Sequence, residues 1–276
     1  EGGGADKNTA IGTNALQNVT GDHNTGLGYG VLSALTSGIR NTALGYQAST
    51  AMGAGETGNI SIGFNAMSTM DEGTSGNIDY NIGIGVNTLS GADLGTSSTD
   101  IQHNIAIGTD SLRLVSGDEQ TGTIAIGRQA LTSLTSGTEN TTVGYQSMKH
   151  NSTGIGNTAL GHNELNGTSS NNHEYNTGIG ASVLEDITTG SSNTGVGYQS
   201  LTNVTDGGNN VCVGRASGDT ITTGDQNIVI GRSDVSTADA QGQIVIGYLL
   251  NGTANTRVHI CNNTSHIYND YNANAN

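Results

Sequence analysis

Six carboxylates, Asp71, Glu72, Asp93, Asp100, Asp118 and Glu119, come closest to the pattern of a glycan-cleaving pair. That reaction needs two carboxyl groups held at a fixed separation, one as acid and one as base or nucleophile. All six lie in segments of variable length, so nothing fixes their separation and no catalytic residue is assigned. The histidines, His23, His103, His150, His162, His173, His259 and His266, share no ligand spacing. His259, in a strand-like stretch, is the one candidate for an axial metal. Cys212 and Cys261 lie too far apart for a metal knuckle or a redox pair. Gly2-Gly3-Gly4-Ala5-Asp6 only touches the calcium-binding repeat pattern, and no array follows. Gly26-Leu27-Gly28-Tyr29-Gly30 precedes no helix that would cradle a phosphate. A regular Thr grid of the ice-binding kind is broken. The expectation is a non-enzymatic chain without cofactor or bound metal.

Composition explains why the chemistry is sparse. The 276 residues include 44 Gly, no Pro, no Trp and one Phe, and only 11% are charged. Such a chain cannot fill a wide core, but it can fill a thin one whose layers each take a few small aliphatics. The net charge is −15, with eight Lys and Arg scattered along the chain. No basic stripe is visible in the sequence, so nucleic acid is not an expected partner. No apolar run approaches the ~18 residues of a membrane-spanning helix, so no membrane insertion is expected. The chain opens on Glu1-Gly2-Gly3-Gly4 without Met, as an excised or processed piece would.

A five-residue core, Asn-[Thr/Ile]-small-[Ile/Leu/Val]-Gly, repeats along the chain. Its closing glycines are Gly12, Gly28, Gly45, Gly63, Gly85, Gly108, Gly127, Gly144, Gly161, Gly180, Gly197, Gly214, Gly231 and Gly247, fourteen copies roughly 17 residues apart. An aliphatic follows four residues after many of these glycines, often with another three later, as in Leu32 with Leu35 or Leu201 with Val204. A Thr-x-Gly turn then closes the unit. This spacing is too short for a helical hairpin, and Thr, Ile, Val and Gly disfavour helix. It predicts an all-β, repetitive parallel β-roll or β-solenoid of about fourteen coils. Asn8, Asn24, Asn41 and Asn104 are among the twelve core asparagines expected to stack as hydrogen-bonded amides. Gly12, Gly28, Gly45 and Gly108 are expected to supply positive φ or close backbone approach at each corner.

Period-two alternation separates an aliphatic ladder from a ladder of small residues. The expectation is that the aliphatics fill each coil. The small face, with Ala43, Ala106, Ala125 and Cys212, is then expected to meet two further copies of the chain at a three-fold axis. The boundaries read 1–7 as lead-in, 8–247 as the β-roll and 248–276 as a closing segment.

Asn8-Thr9-Ala10-Ile11-Gly12, Asn41-Thr42-Ala43-Leu44-Gly45-Tyr46-Gln47-Ala48 and Asn104-Ile105-Ala106-Ile107-Gly108 resemble the head repeats of trimeric autotransporter adhesins. That resemblance implies a left-handed parallel β-roll in a homotrimer. The longer unit, with Thr-Thr-Gly-x-x-Asn before the core, looks more like bacteriophage tail-fibre repeats. The stretch Arg257-Val258-His259-Ile260 through His266-Ile267-Tyr268-Asn269-Asp270-Tyr271 resembles the segment before an endosialidase-type intramolecular chaperone domain. Cleavage of such a domain after assembly would leave an end like Asn276. No heptads or membrane anchor follow the repeats, which departs from the adhesin pattern. The expected role is a structural segment of a virion tail fibre that contributes to host attachment. Its expected partners are itself, adjoining fibre segments and a host surface glycan or protein. The alternatives are a bacterial trimeric adhesin head at the cell surface and a polysaccharide-degrading tailspike.

The link between cores is stretched at Asp71–Tyr80, Gly91–His103 and Asn166–Tyr175. These insertions precede the Asn, so a roll projects them from one corner. They carry Tyr80, His103, His173 and Tyr175, the expected receptor-contact side chains. The residue after each core Gly is often aromatic (Tyr29, Tyr46, Phe64, Tyr145, Tyr198, Tyr248) and reads as a structural corner ladder.

Overall fold

A computed structural model describes residues 7–70, 77–91, 100–114, 119–167, 172–252, 255, 257–262 and 265–270. The chain divides into two compact units, Glu1–Tyr145 and Gln146–Asn276. In the first unit the core strands are β1 (Thr9–Ile11), β2 (Thr25–Leu27), β3 (Thr42–Leu44), β4 (Ile60–Ile62), β6 (Ile82–Ile84), β8 (Ile105–Ile107), β10 (Ile124–Ile126) and β11 (Thr141–Val143). They form one parallel sheet in unbroken register, Thr9 beside Thr25, Thr25 beside Thr42, and so on to Ile124 beside Thr141. Between them lie β5 (Asn77–Asp79), β7 (Asp100–Gln102) and β9 (Gln120–Thr121), which pair as a second, three-stranded parallel sheet. In the second unit β12 (Thr158–His162), β13 (Thr177–Ala181), β14 (Thr194–Val196), β15 (Val211–Val213), β16 (Ile228–Ile230), β17 (Ile244–Gly247) and β18 (Arg257–Asn262) pair in parallel, and β19 (Ser265–Asp270) closes antiparallel on β18. The fourteen repeat cores are thus fourteen strands, which delimit about 13 coils of a β-solenoid. Among the described residues there is no helix.

The buried asparagines hold one coil to the next. Asn41 is 1% exposed, and its Oδ1 accepts both the backbone N–H (2.9 Å) and the side-chain amide (3.2 Å) of Asn59. Its own Nδ2 donates back to Asn24 Oδ1 at 3.2 Å and onward to the Glu56 carbonyl at 2.7 Å. Every hydrogen-bonding valence of the buried amide is used, which is what makes its burial tolerable. The pattern recurs from Asn24 to Asn104 in the first unit and from Asn176 to Asn227 in the second.

Corners require left-handed backbone, and each regular coil has four such places. One is the core glycine; a Cβ on Gly28 (φ +139) would lie 2.1 Å from the Gly45 carbonyl oxygen, so no larger residue fits. The other three are the residue before the Asn, and those two and four after the glycine. The last of these is usually leucine, for example Leu32 (φ 50), Leu112 (φ 48) and Leu184 (φ 52). A leucine there costs roughly 1–2 kcal/mol. Each of these three is at most 1% exposed, and burying such a side chain returns roughly 1.5–3 kcal/mol, so burial wins.

The two faces of the strand are reversed from the sequence expectation. The middle, small residue points into the coil, and the aliphatics flanking it point out. Ala43, Ala106, Ala125 and Cys212 are at most 1% exposed within the single chain, so they cannot lie at an axis between chains. The left-handed leucines explain why this position is small. A Cβ on Gly26 would lie 2.8 Å from Leu16 Cδ1, and one on Gly178 would lie 2.7 Å from Leu165 Cδ1. The corner leucines and the second aliphatic row (Leu35, Leu134, Ile187, Val204, Ile221) already fill the interior. The last core position instead faces outward, with Ile11 60%, Leu44 40%, Val143 39% and Ile179 40% exposed.

The asparagine column is interrupted at Thr123 and ends at Gln243. Thr123 N–H still reaches Asn104 Oδ1 at 2.9 Å, but its buried Oγ1 has no partner. Thr123→Asn is expected to restore the missing bonds, stabilise by about 1 kcal/mol and raise the melting temperature by roughly 2 °C. Asn104→Leu should do the opposite, removing the side-chain partner of the Thr123 N–H and of the Gln120 carbonyl at a cost of about 3 kcal/mol. Thermal unfolding followed by circular dichroism measures both.

Candidate functional site

Side chains in the column before each Asn stand on a left-handed residue and point to solvent. In the first unit this column runs Lys7, His23, Arg40, Gly58, Tyr80, His103, Gly122, Glu139. Two expected receptor-contact residues meet there. Tyr80, 53% exposed, stacks on His103 with ring centroids 5.4 Å apart and planes 24° from parallel. The other side of Tyr80 lies over Gly58, whose added Cβ would fall 2.7 Å from Tyr80 Cδ1. Both faces of the phenol ring are therefore taken, leaving its edge and hydroxyl, with His103 exposed next to it. Tyr175 repeats the arrangement in the second unit, 58% exposed and lying over Gly156.

His173 differs from expectation. It is fully buried, with Nδ1 3.3 Å from Asn157 Oδ1 and Nε2 3.2 Å from the Leu165 carbonyl, so it is not a receptor contact. Its position, three residues before the Asn, points into the coil. Regular repeats place Gly there beside a bulky aliphatic, as with Gly38 and Leu35. Where the link is stretched, Ile78, Ile101 or His173 fills the interior from this position instead. The insertions are therefore partly core. Residues 71–76, 92–99 and 168–171 of these links lie outside the described residues, and with them Asp71, Glu72 and Asp93. Asp118 is outside as well. Asp100 accepts the Asn77 amide at 2.9 Å across β5 and β7.

His259 sits beside Val245 in the inward column of β18, with Nδ1 3.0 Å from the Asn251 carbonyl, so it too lies in a coil and not on an axis. Among the described residues no group of three His, Cys, Asp or Glu side chains is arranged to hold a metal. Cys212 is a buried free thiol whose ionisation burial pushes up. The aromatic column after the core glycines is a continuous stack in the first unit: Tyr29 on Tyr46 at 5.3 Å, and Tyr46 on Phe64 at 5.4 Å. Tyr145 of that column carries the Arg128 guanidinium 5.7 Å from its ring centroid.

Two features escaped the sequence reading. Lys7, His23 and Arg40 are far apart in sequence, yet the register Thr9–Thr25–Thr42 stacks them on three consecutive coils, all exposed. Aligning repeats on their Asn, one residue back, would have found this row. The second is a cleft of about 320 Å³ where the coil after Gly231 is one residue short, lined by Asp219, Arg232, Asp234 and Leu249 among others. Asp234 accepts from the Thr220 N–H and hydroxyl and from the Val235 N–H, and so holds that turn. Burial, and then Asp234, raise the pKa of Asp219. No protein-family profile, curated protein or solved structure matches the chain.

Glu164 occupies an inward position where most coils carry Ala, Ser, Thr or Val. It is fully buried, and among the described residues the Gly180 N–H is the one group that approaches its carboxyl as a donor, without reaching good hydrogen-bond geometry. Burial pushes its pKa up from 4.5 to about 8, opposed by the Gly180 N–H. Burial also pushes His173 down from 6.5 to about 4, opposed by the Leu165 carbonyl. The raised Glu164 stabilises below pH 4.5, and that stability is lost as pH rises to about 8. The lowered His173 stabilises above pH 6.5, and that stability is lost as pH falls to about 4. The two slopes oppose each other between 4.5 and 6.5, and only the Glu164 loss continues from 6.5 to about 8. The melting temperature is therefore expected to fall from pH 6.5 to 8 in the native chain and to stay level there in Glu164→Gln.

Proposed function

We propose that this chain is a structural segment of a phage tail fibre, three copies wound side by side, with the residues before each Asn contributing to host-surface attachment. The observation that carries the reading is the outward aliphatic column. Ile11, Leu27, Leu44, Val143, Leu160, Ile179, Val213 and Ile230 are each more than a third exposed in the single chain. Exposed apolar surface that recurs on coil after coil marks an interface. A partner that covers it must repeat at the same pitch, and another copy of this chain does so by construction. The interface proposed is thus the aliphatic face, not the small one. The fibre role is supported by the likeness of the repeat to tail-fibre and adhesin-head sequences, and by a fold of stacked coils that needs no wide core. The Tyr80–His103 stack and Tyr175 are exposed in the column before the Asn, where a trimer displays each three times and weak contacts gain avidity.

Light scattering on the purified chain is expected to give three times the chain mass of 27.9 kDa. Ile107→Asp with Ile126→Asp should yield a folded monomer, because both positions face outward. Ala106→Trp should instead disrupt the coil itself through overpacking. A monomeric native chain, or a double Asp variant that still forms the normal trimer, contradicts the proposed interface.

A further inference from the structure

The row Lys7, His23, Arg40 is unusual in a chain of net charge −15 that holds only eight Lys and Arg. All three side chains stand on left-handed residues (φ 60, 62 and 59) at the same corner of successive coils. Successive coils are about 4.8 Å apart, so the row spans about 10 Å. All three are exposed, and none makes a side-chain hydrogen bond or ion pair among the described residues. Half-buried Asp22, next to His23, turns its carbonyl to the Arg40 N–H at 3.1 Å. Farther along the column, past Gly58, come the stacked rings of Tyr80 and His103. From Lys7 to His103 is five coil steps, about 24 Å.

We propose that this corner of the first unit is a binding track for an acidic polysaccharide. Uronate-type carboxylates would lie on Lys7, His23 and Arg40, with the sugar chain running on to the Tyr80 edge and the open side of His103. Charge density selects this ligand. Duplex nucleic acid carries a charge every ~1.7 Å and is held by many cations together, whereas two cations flanking a histidine, in a chain of net charge −15, suit a sparse polyanion. Among the described residues Lys7 and Arg40 have no side-chain partner to give up, so an incoming carboxylate gains charge-assisted bonds without breaking any of those. The inference deepens the attachment part of the reading above by naming the ligand class, and rests on it only there.

The test measures binding of the purified full chain to a fluorescent galacturonic-acid hexamer, its methyl ester and a single-stranded DNA oligonucleotide. The variants are Lys7→Asn with Arg40→Asn, since Asn tolerates left-handed backbone, and separately Tyr80→Asn. Thermal melting checks that each remains folded. The expected result is that the acid hexamer binds about tenfold more tightly than the ester, and that the double variant loses about that factor for the acid alone. Salt should weaken the acid and not the ester, and Tyr80→Asn should weaken both. Equal binding of acid and ester, a double variant that matches the native chain, no binding of the hexamer, or preferred binding of DNA would each overturn the proposal. A monomer that binds the hexamer removes the trimer reading and leaves the track; a trimer that ignores it removes the track and leaves the fibre reading.

Discussion

Everything in this structure depends on the buried asparagine, whose amide must spend all its hydrogen-bonding capacity on two neighbouring coils. An unsatisfied buried amide is costly, so coil n+1 must present its backbone N–H and its own amide at one height, and the turn carbonyl at another. Asn59 meets Asn41 in this way, and Asn81 meets Asn59. That requirement fixes the pitch and forbids the coils from sliding. The links can vary in length only because the residue three before the Asn returns to the same place. Ile101 and His173 both end at that position although the segments that lead to them differ.

The interior follows from the same constraint. With coils pinned at a strand's spacing, the cavity is narrow, and the volume is shared among several inward columns. A corner leucine is bought with left-handed backbone and forces its neighbour on the strand to be small. Cys212 shows the trade locally. Its sulfur would lie 2.5 Å from a Cβ at residue 218, and that position carries Gly in place of the usual leucine.

Much of the fold was legible in the sequence, because the repeat states strand, corner and stacked amide in one five-residue phrase. Which face is inside was not. Alternation separates two faces without saying which is filled, and the larger side chains were given the interior. The deciding fact is that Leu16, Leu32 and their equivalents occupy it from the turn, which needs left-handed leucines that propensity alone disfavours. Of the candidate site, the exposure of Tyr80, His103 and Tyr175 was legible, because each directly precedes the Asn at the end of a polar link. The burial of His173 was not, since its column is defined by a carbonyl that bonds Asn157. The row of Lys7, His23 and Arg40 was hidden by reading charges along the chain and not across it.

Hydrogen exchange of the asparagine side-chain amides, followed by NMR, tests the central claim most directly. If the ladder holds the coils together, the Nδ2 protons of Asn41, Asn59, Asn81, Asn193 and Asn210 exchange only when the coils open, as slowly as the backbone amides of the core strands beside them. Exchange of these protons at the rate of solvent-exposed amides, while the strand backbone stays protected, would contradict the account.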